Sequence, residues 1–404
     1  GFTATAGEGY FVDTSSGAVS VNLPAGTAGA VVGFSDYAQS FDTNALTLVQ
    51  NGSDKIAGST DNSELLTEGI AVTLVFVDST KGWIVTDSGL QSDAPGPIFV
   101  TATGGNAVVT CGNFKTHIFT GPGTFAVSAV SNSPANNVAD YLVVAGGGGS
   151  AINGGGAGAG GFRTFASVPG TNSPLNAPAG LTLTAASFPI TVGSGGANGA
   201  PSGPPSSAPS PPGNVSTFST ITSAGGGGAN RQGTCSGNGK PGGSGGGGGY
   251  ACGTGGTGNT PPVSPPQGQN GGAGQVSPGP HFGGGGGAGA AGCGGSVPNA
   301  GGAGSFIQTG FIGPTAPSYG EAGPAGRYFS GGGGGSNQIG GGPYPAANVA
   351  GGLGGGGNGA NAPELSGNNG TTNTGGGAGT GNGGSSPGGA VGGSGIVMIR
   401  YKFQ

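Results

Sequence analysis

Over residues 1–95 the apolar positions fall in short runs with a period of two. In "VSVNLP" the residues Val19, Val21 and Leu23 alternate with polar neighbours. The runs "GYFVDTSS", "GAVVGFSDYA", "LTLVQNG", "KIAGS", "IAVTLVFVD" and "GWIVTDS" recur at close spacing. Alternation of this kind marks half-buried strands, and the short intervals between them mark an all-β domain. Asn51-Gly52 predicts a tight turn. Trp83, the sole Trp, lies in a strand-like run and is expected to anchor the core.

The pattern changes further on. "NAVVTCGNFKTHIFT", "GTFAVSAVS", "DYLVVAG", "FRTFASV", "LTLTAASFPITVG" and "VSTFSTITS" are strand-like islands among glycines. Leu142, Val143 and Val144 read as a strand buried on both faces. After Ala224 about 170 residues pass almost without a strand pattern, until "GSGIVMIRYKF" closes the sequence. A last strand that pairs with Tyr141–Val144 would turn the glycine region into a large insertion in a β-sandwich. The predicted fold class is therefore all-β. A small β domain at 1–95 precedes a glycine-rich domain at 96–404, which is a jelly-roll-like sandwich with strands at about 98–223 and 394–403. Its inserted bundle occupies mainly 146–160 and 193–393.

Composition decides what that bundle can be. Glycine makes up 105 of 404 residues, and 87 of these follow residue 140. Collagen needs Gly at every third position, and "GGSGGGGGYACGTGGTGNTPPVSPP" has no such frame. Glycine can instead form extended threefold helices of the polyproline II type, which pack closely for want of side chains. A net ~0.5–1.5 kcal/mol per hydrogen bond competes with ~1–2 kcal/mol per residue of backbone entropy. Such helices therefore need anchors, and the flanking strands supply them. The runs 225–228, 283–287, 331–335 and 351–357 are expected to be extended and laterally hydrogen-bonded, as polyglycine II.

Charge and motif searches exclude several function classes. Residues 1–140 carry 12 acidic residues and 3 lysines, a net −9; the remainder carries 2 glutamates and 6 basic residues, a net +4. The basic residues are scattered singly, which leaves no footprint for nucleic acid. No apolar run approaches the ~20 residues of a membrane span. GxGxxG and the GxSxG match around Ser244 are by-products of glycine density, with no strand–helix context. The two histidines, His117 and His281, are far apart in sequence, and no C-x-x-C is present, so no metal or cofactor is expected. Glu321 and Glu364 are isolated, whereas glycosidase chemistry needs a carboxylate pair. The chain is not expected to be an enzyme. A disulfide among Cys235, Cys252 and Cys293 is expected in an oxidising exterior, and Cys111 is expected to pack as a small core residue.

Two resemblances add to this. "AGEGYFVDTSSGAVSVNLPAG", "VGFSDYAQSFDTNALTLVQNGSDKIAG" and "VTLVFVDSTKGWIV" resemble a small β domain common in fibres and other structural proteins of tailed bacteriophages. That family implies a connector or stem module, commonly trimeric. "DYLVVAGGGGS", "GGAGAGGFRTF", "ITVGSGG", "SAGGGG" and "GGSGIVMIRY" resemble the glycine-rich domain of phage fibres and of some animal receptor ectodomains. It implies a sandwich with polyglycine helices, whose connecting loops touch the host in phage adhesins.

The expected function is that of a non-enzymatic virion protein, a homotrimeric tail fibre joined to other virion proteins through its N-terminal side. Its receptor would be a glycan or an outer-membrane protein of the host cell. A capsid-decoration or head-fibre protein, a cellular adhesin or filament subunit, and an ice-binding protein are the alternatives. Large or charged side chains between glycine runs are the candidate receptor contacts: Arg231, Lys240, Phe282, Tyr319, Arg327, Tyr328, Phe329 and Tyr344.

Overall fold

The structure is a computed structural model. It describes residues 1–90, 98–199, 210–230, 237–249, 253–275, 281–294, 299–313, 318–336, 348–360, 366–381 and 389–404. The chain divides into two compact units, Gly1–Pro97 and Ile98–Gln404.

Among its described residues the first unit has eight strands: β1 (Phe2–Thr3), β2 (Gly9–Val12), β3 (Val19–Asn22), β4 (Val31–Asp36), β5 (Leu46–Val49), β6 (Ser63–Leu65), β7 (Ile70–Phe76) and β8 (Trp83–Leu90). They form two four-stranded sheets, ordered β1-β3-β5-β6 and β2-β4-β7-β8. The alternating apolar positions meet in one core, with Val21, Leu23, Phe34, Leu46 and Leu74 buried. Trp83 is fully buried and meets Phe76 edge-on at 5.6 Å. Gly52 takes a φ of 56° in the turn after Asn51. The "KIAGS" stretch is a turn instead of a strand: Ile56 N–H bonds to Ser59 O and Ala57 has φ 52°.

The second unit begins with β9 (Thr101–Thr103), β10 (Ala107–Cys111), β11 (Phe114–Phe119), β12 (Gly123–Ala129), β13 (Val138–Val144), β14 (Phe162–Phe165), β15 (Leu181–Thr182), β16 (Ser187–Thr191), β17 (Ser216–Phe218) and β18 (Ile221–Ser223). Later come β19 (Ser305–Ile307), the single helical turn α1 (Thr309–Ile312), β20 (Glu321–Gly323), β21 (Gly326–Phe329) and β22 (Ile396–Lys402). One sheet runs β10-β11-β22-β13-β14, with β15 beside β13, and the other runs β18-β17-β16-β12-β9. The last strand closes the fold: β22 pairs antiparallel with β13, from Asp140↔Arg400 to Val144↔Ile396, and with β11 on its other side. Tyr141, Val143, Val397, Ile399 and Tyr401 face the second sheet across one core. Leu142, Val144, Ile396 and Met398 face outward into a second core with Ile307, Phe311 and Phe329. The central sheet is thus buried on both faces, as the unbroken apolar runs require.

That second core departs from the sequence expectation. Residues 305–329 fall inside the predicted bundle, yet they form a three-stranded sheet, β19-β21-β20, and a helical turn. Their apolar residues cover the outer face of the sandwich.

The glycine runs are arranged around one central run, 155–161. Its N–H groups point in three directions by turn. Gly155, Gly158 and Gly161 donate to Asn230, Gly227 and Ala224; Gly156 and Ala159 donate to Gly283 and Gly286; Ala157 and Gly160 donate to Ala378 and Gly375. Its carbonyls accept from Ala145 and Gly148, from Ser244 and Gly247, and from Gly333. The central run therefore touches six neighbours: 145–150, 225–230, 243–249, 283–287, 331–335 and 375–380. The same repeat of three governs the neighbours; Gly331 and Gly334 donate to Gly354 and Gly357, and Gly332 and Gly335 to Gly302 and Asn299.

These six runs form a ring that the chain visits in sequence order. Each bonds to the next, as in Gly226→Gly146, Gly227→Ser244, Gly283→Gly248, Gly285→Gly333, Gly377→Gly331 and Ala378→Gly148. Outside them, among the described residues, lie eleven further runs, also in sequence order from 193–199 to 389–393. The outer series closes on itself through Gly392 N–H to Gly196 O, at 2.9 Å. One buried cluster inside the bundle is made of methyls alone, from Ala157, Ala229, Ala378 and Ala390. The stretch 351–357 is two runs, not one. It turns at Gly354 and Gly355, both with positive φ, because their N–H groups bond the Glu321 carboxylate.

Candidate functional site

Successive runs alternate in direction, so their ends collect at two faces. The register of the bonds shows this: Gly146 and Gly149 pair with Asn214 and Pro211, which descend as the first run ascends. At one face the runs join the sandwich strands. At the other lie the remaining run ends, among them Gln275 and His281, which bond each other through both backbone groups. In the sequence, Arg231, Tyr250, Tyr344 and Glu364 lie in the connections between these ends.

The candidate contact residues separate into three groups. Tyr319, Arg327, Tyr328 and Phe329 come together on the β19–β21 sheet, at the sandwich face of the bundle. Phe329 is fully buried in the outer-face core, and Phe282 is fully buried within the bundle. Both fill the interior, because distant glycine runs and strands close over them; against the sequence expectation they are packing residues, not surface anchors. Arg327 is a brace: its Nε donates to Tyr319 O at 2.8 Å, and its Nη2 donates to Gly320 O. Tyr328 is half-buried and packs against Phe306, with ring centroids 5.4 Å apart. Lys240 is exposed on an outer run, remote in the bundle from that sheet. Arg231 and Tyr344 lie outside the described residues, as do Cys235 and Cys252. Cys293 is an exposed free thiol, and Cys111 is free and partly buried.

Two polar clusters went unread in the sequence. Asp140 and Arg400, opposite each other on β13 and β22, form a buried ion pair. Ser167 Oγ donates to Asp140 Oδ2 at 3.0 Å, and the guanidinium stacks 3.6 Å from the Phe114 ring centroid. Burial pushes the Asp140 carboxyl above the usual range, while the bonds from Ser167 and the charge of Arg400 pull it back. On the opposite face, His117 Nδ1 lies 2.7 Å from Gly104 O and Nε2 lies 3.1 Å from Tyr401 Oη. Burial holds His117 below the ordinary 6.5, so the ring is neutral. Burial also pushes Tyr401 up to about 12, so its hydroxyl keeps the proton and donates to Nε2. His117 Nδ1–H then donates to Gly104 O. The signal for both clusters was a charged or titratable residue within an apolar strand, at a position that the fold buries. Their partners are more than two hundred residues away, so one sequence could not pair them.

Among the described residues no group of His, Cys, Asp and Glu could hold a metal ion. No described helix is long and apolar enough to cross a membrane.

This is a β-rich unit followed by a sandwich whose inserted loops are a glycine bundle. Residues 2–90 match the family described as bacteriophage T4 gp9/10-like protein, N-terminal. Residues 120–402 match the glycine-rich domain family. The second match spans most of the chain, and the chain belongs to that family. Together the two make it a virion-associated bacteriophage structural protein with a glycine-rich part. Comparison with curated proteins gives no match.

Proposed function

We propose that the protein is a non-enzymatic tail-fibre adhesin, a homotrimer joined to the virion through its N-terminal unit. The glycine runs are threefold helices of the polyglycine II type, a reading supported by the repeat of three in their hydrogen-bond directions. Host contact belongs to the sequence segments between run ends. The observation that supports this reading is the alternating direction of the runs, which collects half of their ends away from the sandwich strands. Apart from the exposed Lys240, the runs present mostly backbone and small residues, which discriminate little between ligands. Aromatic and Arg side chains concentrate binding energy, and the connections hold Arg231, Tyr250 and Tyr344.

Adsorption of the purified fibre to host cells tests the reading. Replacing Arg231 and Tyr344 together with Ala should weaken adsorption at least tenfold while the thermal melt stays unchanged. Tyr328→Ala, on the sandwich side, should adsorb as wild type. Normal adsorption by the double variant would refute host contact through these connections and favour a head-decoration role. Light scattering tests the assembly: a monomer at micromolar concentration would refute the trimer.

A further inference from the structure

An Asn-Gly pair carries its own reactive groups. The Gly backbone nitrogen attacks the Asn carboxamide carbon, because no Cβ obstructs the approach. The bond from Gly N to Asn Cγ forms, the Cγ–Nδ2 bond breaks, and the proton of the Gly N–H leaves with the amide as ammonia. Water then opens the cyclic imide at either carbonyl, which leaves aspartate or isoaspartate. The attack needs an N–H that is free to lose its proton and to turn toward the side chain.

The sequence holds eight such pairs, and seven fall on described residues, one in the first unit and six in the second. In the second unit the glycine N–H is engaged. Gly199 donates to Ser150 O, Gly239 to Thr254 O, Gly271 to Gly256 O, Gly359 to Val349 O and Gly370 to Val391 O, all at 2.8–3.0 Å. Gly154, which follows Asn153, is buried and lies in a β-bridge. The carboxamides are held as well. Asn238, Asn270, Asn358 and Asn369 each accept a backbone N–H through Oδ1, at 2.8–3.0 Å.

The pair in the first unit is different. Asn51 and Gly52 are both exposed, and among the described residues Gly52 N–H makes no hydrogen bond. The turn is closed by Asp54 N–H to Asn51 O at 2.9 Å, a bond that leaves Gly52 N–H out. The Asn51 carboxamide has one long tether, from Nδ2 to Leu23 O at 3.4 Å.

We propose that Asn51 is the site at which the folded chain deamidates, and that the bundle protects the pairs within it. A bundle pair has to break its lateral bond before it reacts, which slows the attack roughly tenfold or more. The modification is independent of host attachment and is read without it.

The test is ageing of the full chain at mildly alkaline pH, followed by pepsin digestion in acid and mass spectrometry of the peptides. Asn51 should gain the mass of an amide-to-acid exchange and appear as both aspartate and isoaspartate. Its rate should exceed that of every described bundle pair by roughly tenfold or more. In the same chain unfolded in urea, the bundle pairs should convert at a rate close to that of Asn51. Asn51→Gln, which cannot close the same ring, should remove the product from the folded chain. Asn382 lies outside the described residues and does not enter the comparison. A bundle pair that converts as fast as Asn51 in the folded chain would overturn the proposal. So would an Asn51 that stays intact in the folded chain while the unfolded chain converts it, or bundle pairs that stay slow in urea.

Discussion

Gly333→Ala isolates what the bundle demands of its backbone. A Cβ at Gly333 would lie 1.9 Å from Ala378 O and 2.5 Å from Ala378 C, where side-chain carbons do not approach closer than about 3.0 Å. The runs must part by roughly 1.1 Å, and both obstacles are backbone, which cannot swing aside. Gly333 N–H to Ala157 O is 2.8 Å, and Ala157 N–H to Ala378 O is 2.9 Å. A shift of that size, taken by one run, carries one of these bonds past the range of a hydrogen bond. A buried bond lost costs ~1–3 kcal/mol, so the variant should lose at least roughly 1–3 kcal/mol. At about 2 °C per kcal/mol for a large domain, its Tm should fall by roughly 2–6 °C or more. Gly121→Ala is the control, since nothing lies within 4 Å of its Cβ. It should stay within about 0.5 kcal/mol of wild type, or gain slightly from the stiffer unfolded chain. Calorimetry reads the glycine-rich unit, and Trp83 fluorescence reads the N-terminal unit, whose transition should not move. If Gly333→Ala melts with the control, the close packing of the runs is wrong.

Four further outcomes are expected. Arg400→Met leaves the buried Asp140 without its partner and should destabilise the second unit by ~3–5 kcal/mol in chemical denaturation, whereas the double change with Asp140→Leu should recover much of the loss. His117 is held below 6.5 in the fold, so the unfolded chain takes the proton first; stability should be full above about pH 6.5 and fall as pH drops below it, and His117→Gln should flatten a Tm–pH profile there. Asp140 acts with the opposite sign, contributing stability below its ordinary 3.8 that is lost as pH rises through its raised folded value. Phe329→Ala should cost ~3–5 kcal/mol by calorimetry, while Tyr328→Ala should cost well under half of that, since its ring is only half-buried.

The strands were legible because burial on one face writes a period of two, and burial on both faces writes an unbroken apolar run. Val19–Leu23 and Leu142–Val144 are the two cases. The closing strand was legible for the same reason, since Ile396–Tyr401 has no cause to be apolar unless a sheet receives it. The order of the glycine runs was not legible. Their partners are chosen by backbone register, and one glycine is like another. Phe282 and Phe329 were misread because glycine flanks them, and local composition then looks like a surface turn. What buries them is a set of runs and strands distant in sequence. Residues 305–329 escaped for a related reason. "SFIQTGFIGP" shows neither period clearly, and its cover of the sandwich exists only once β13 and β22 have paired.

The position of β22 bears on how so much glycine can be ordered at all. A residue of the central run has both its N–H and its C=O engaged by neighbours, yet its hydrogen bonds do no more than approach the entropy of fixing it. The margin has to come from elsewhere, and the two apolar cores flanking the central sheet are the source that the fold provides. β22 lies at the centre of that sheet, between β11 and β13, so both cores are incomplete until the last residues arrive. The first and last outer runs are likewise bonded only when the chain is complete. Removing residues 396–404 should therefore unfold the whole glycine-rich unit, not merely fray one strand. Loss of the calorimetric transition of that unit, with the Trp83 transition retained, is the expected result. Survival of a cooperative bundle without β22 would mean that the glycine runs order themselves, and that the sandwich is only their base.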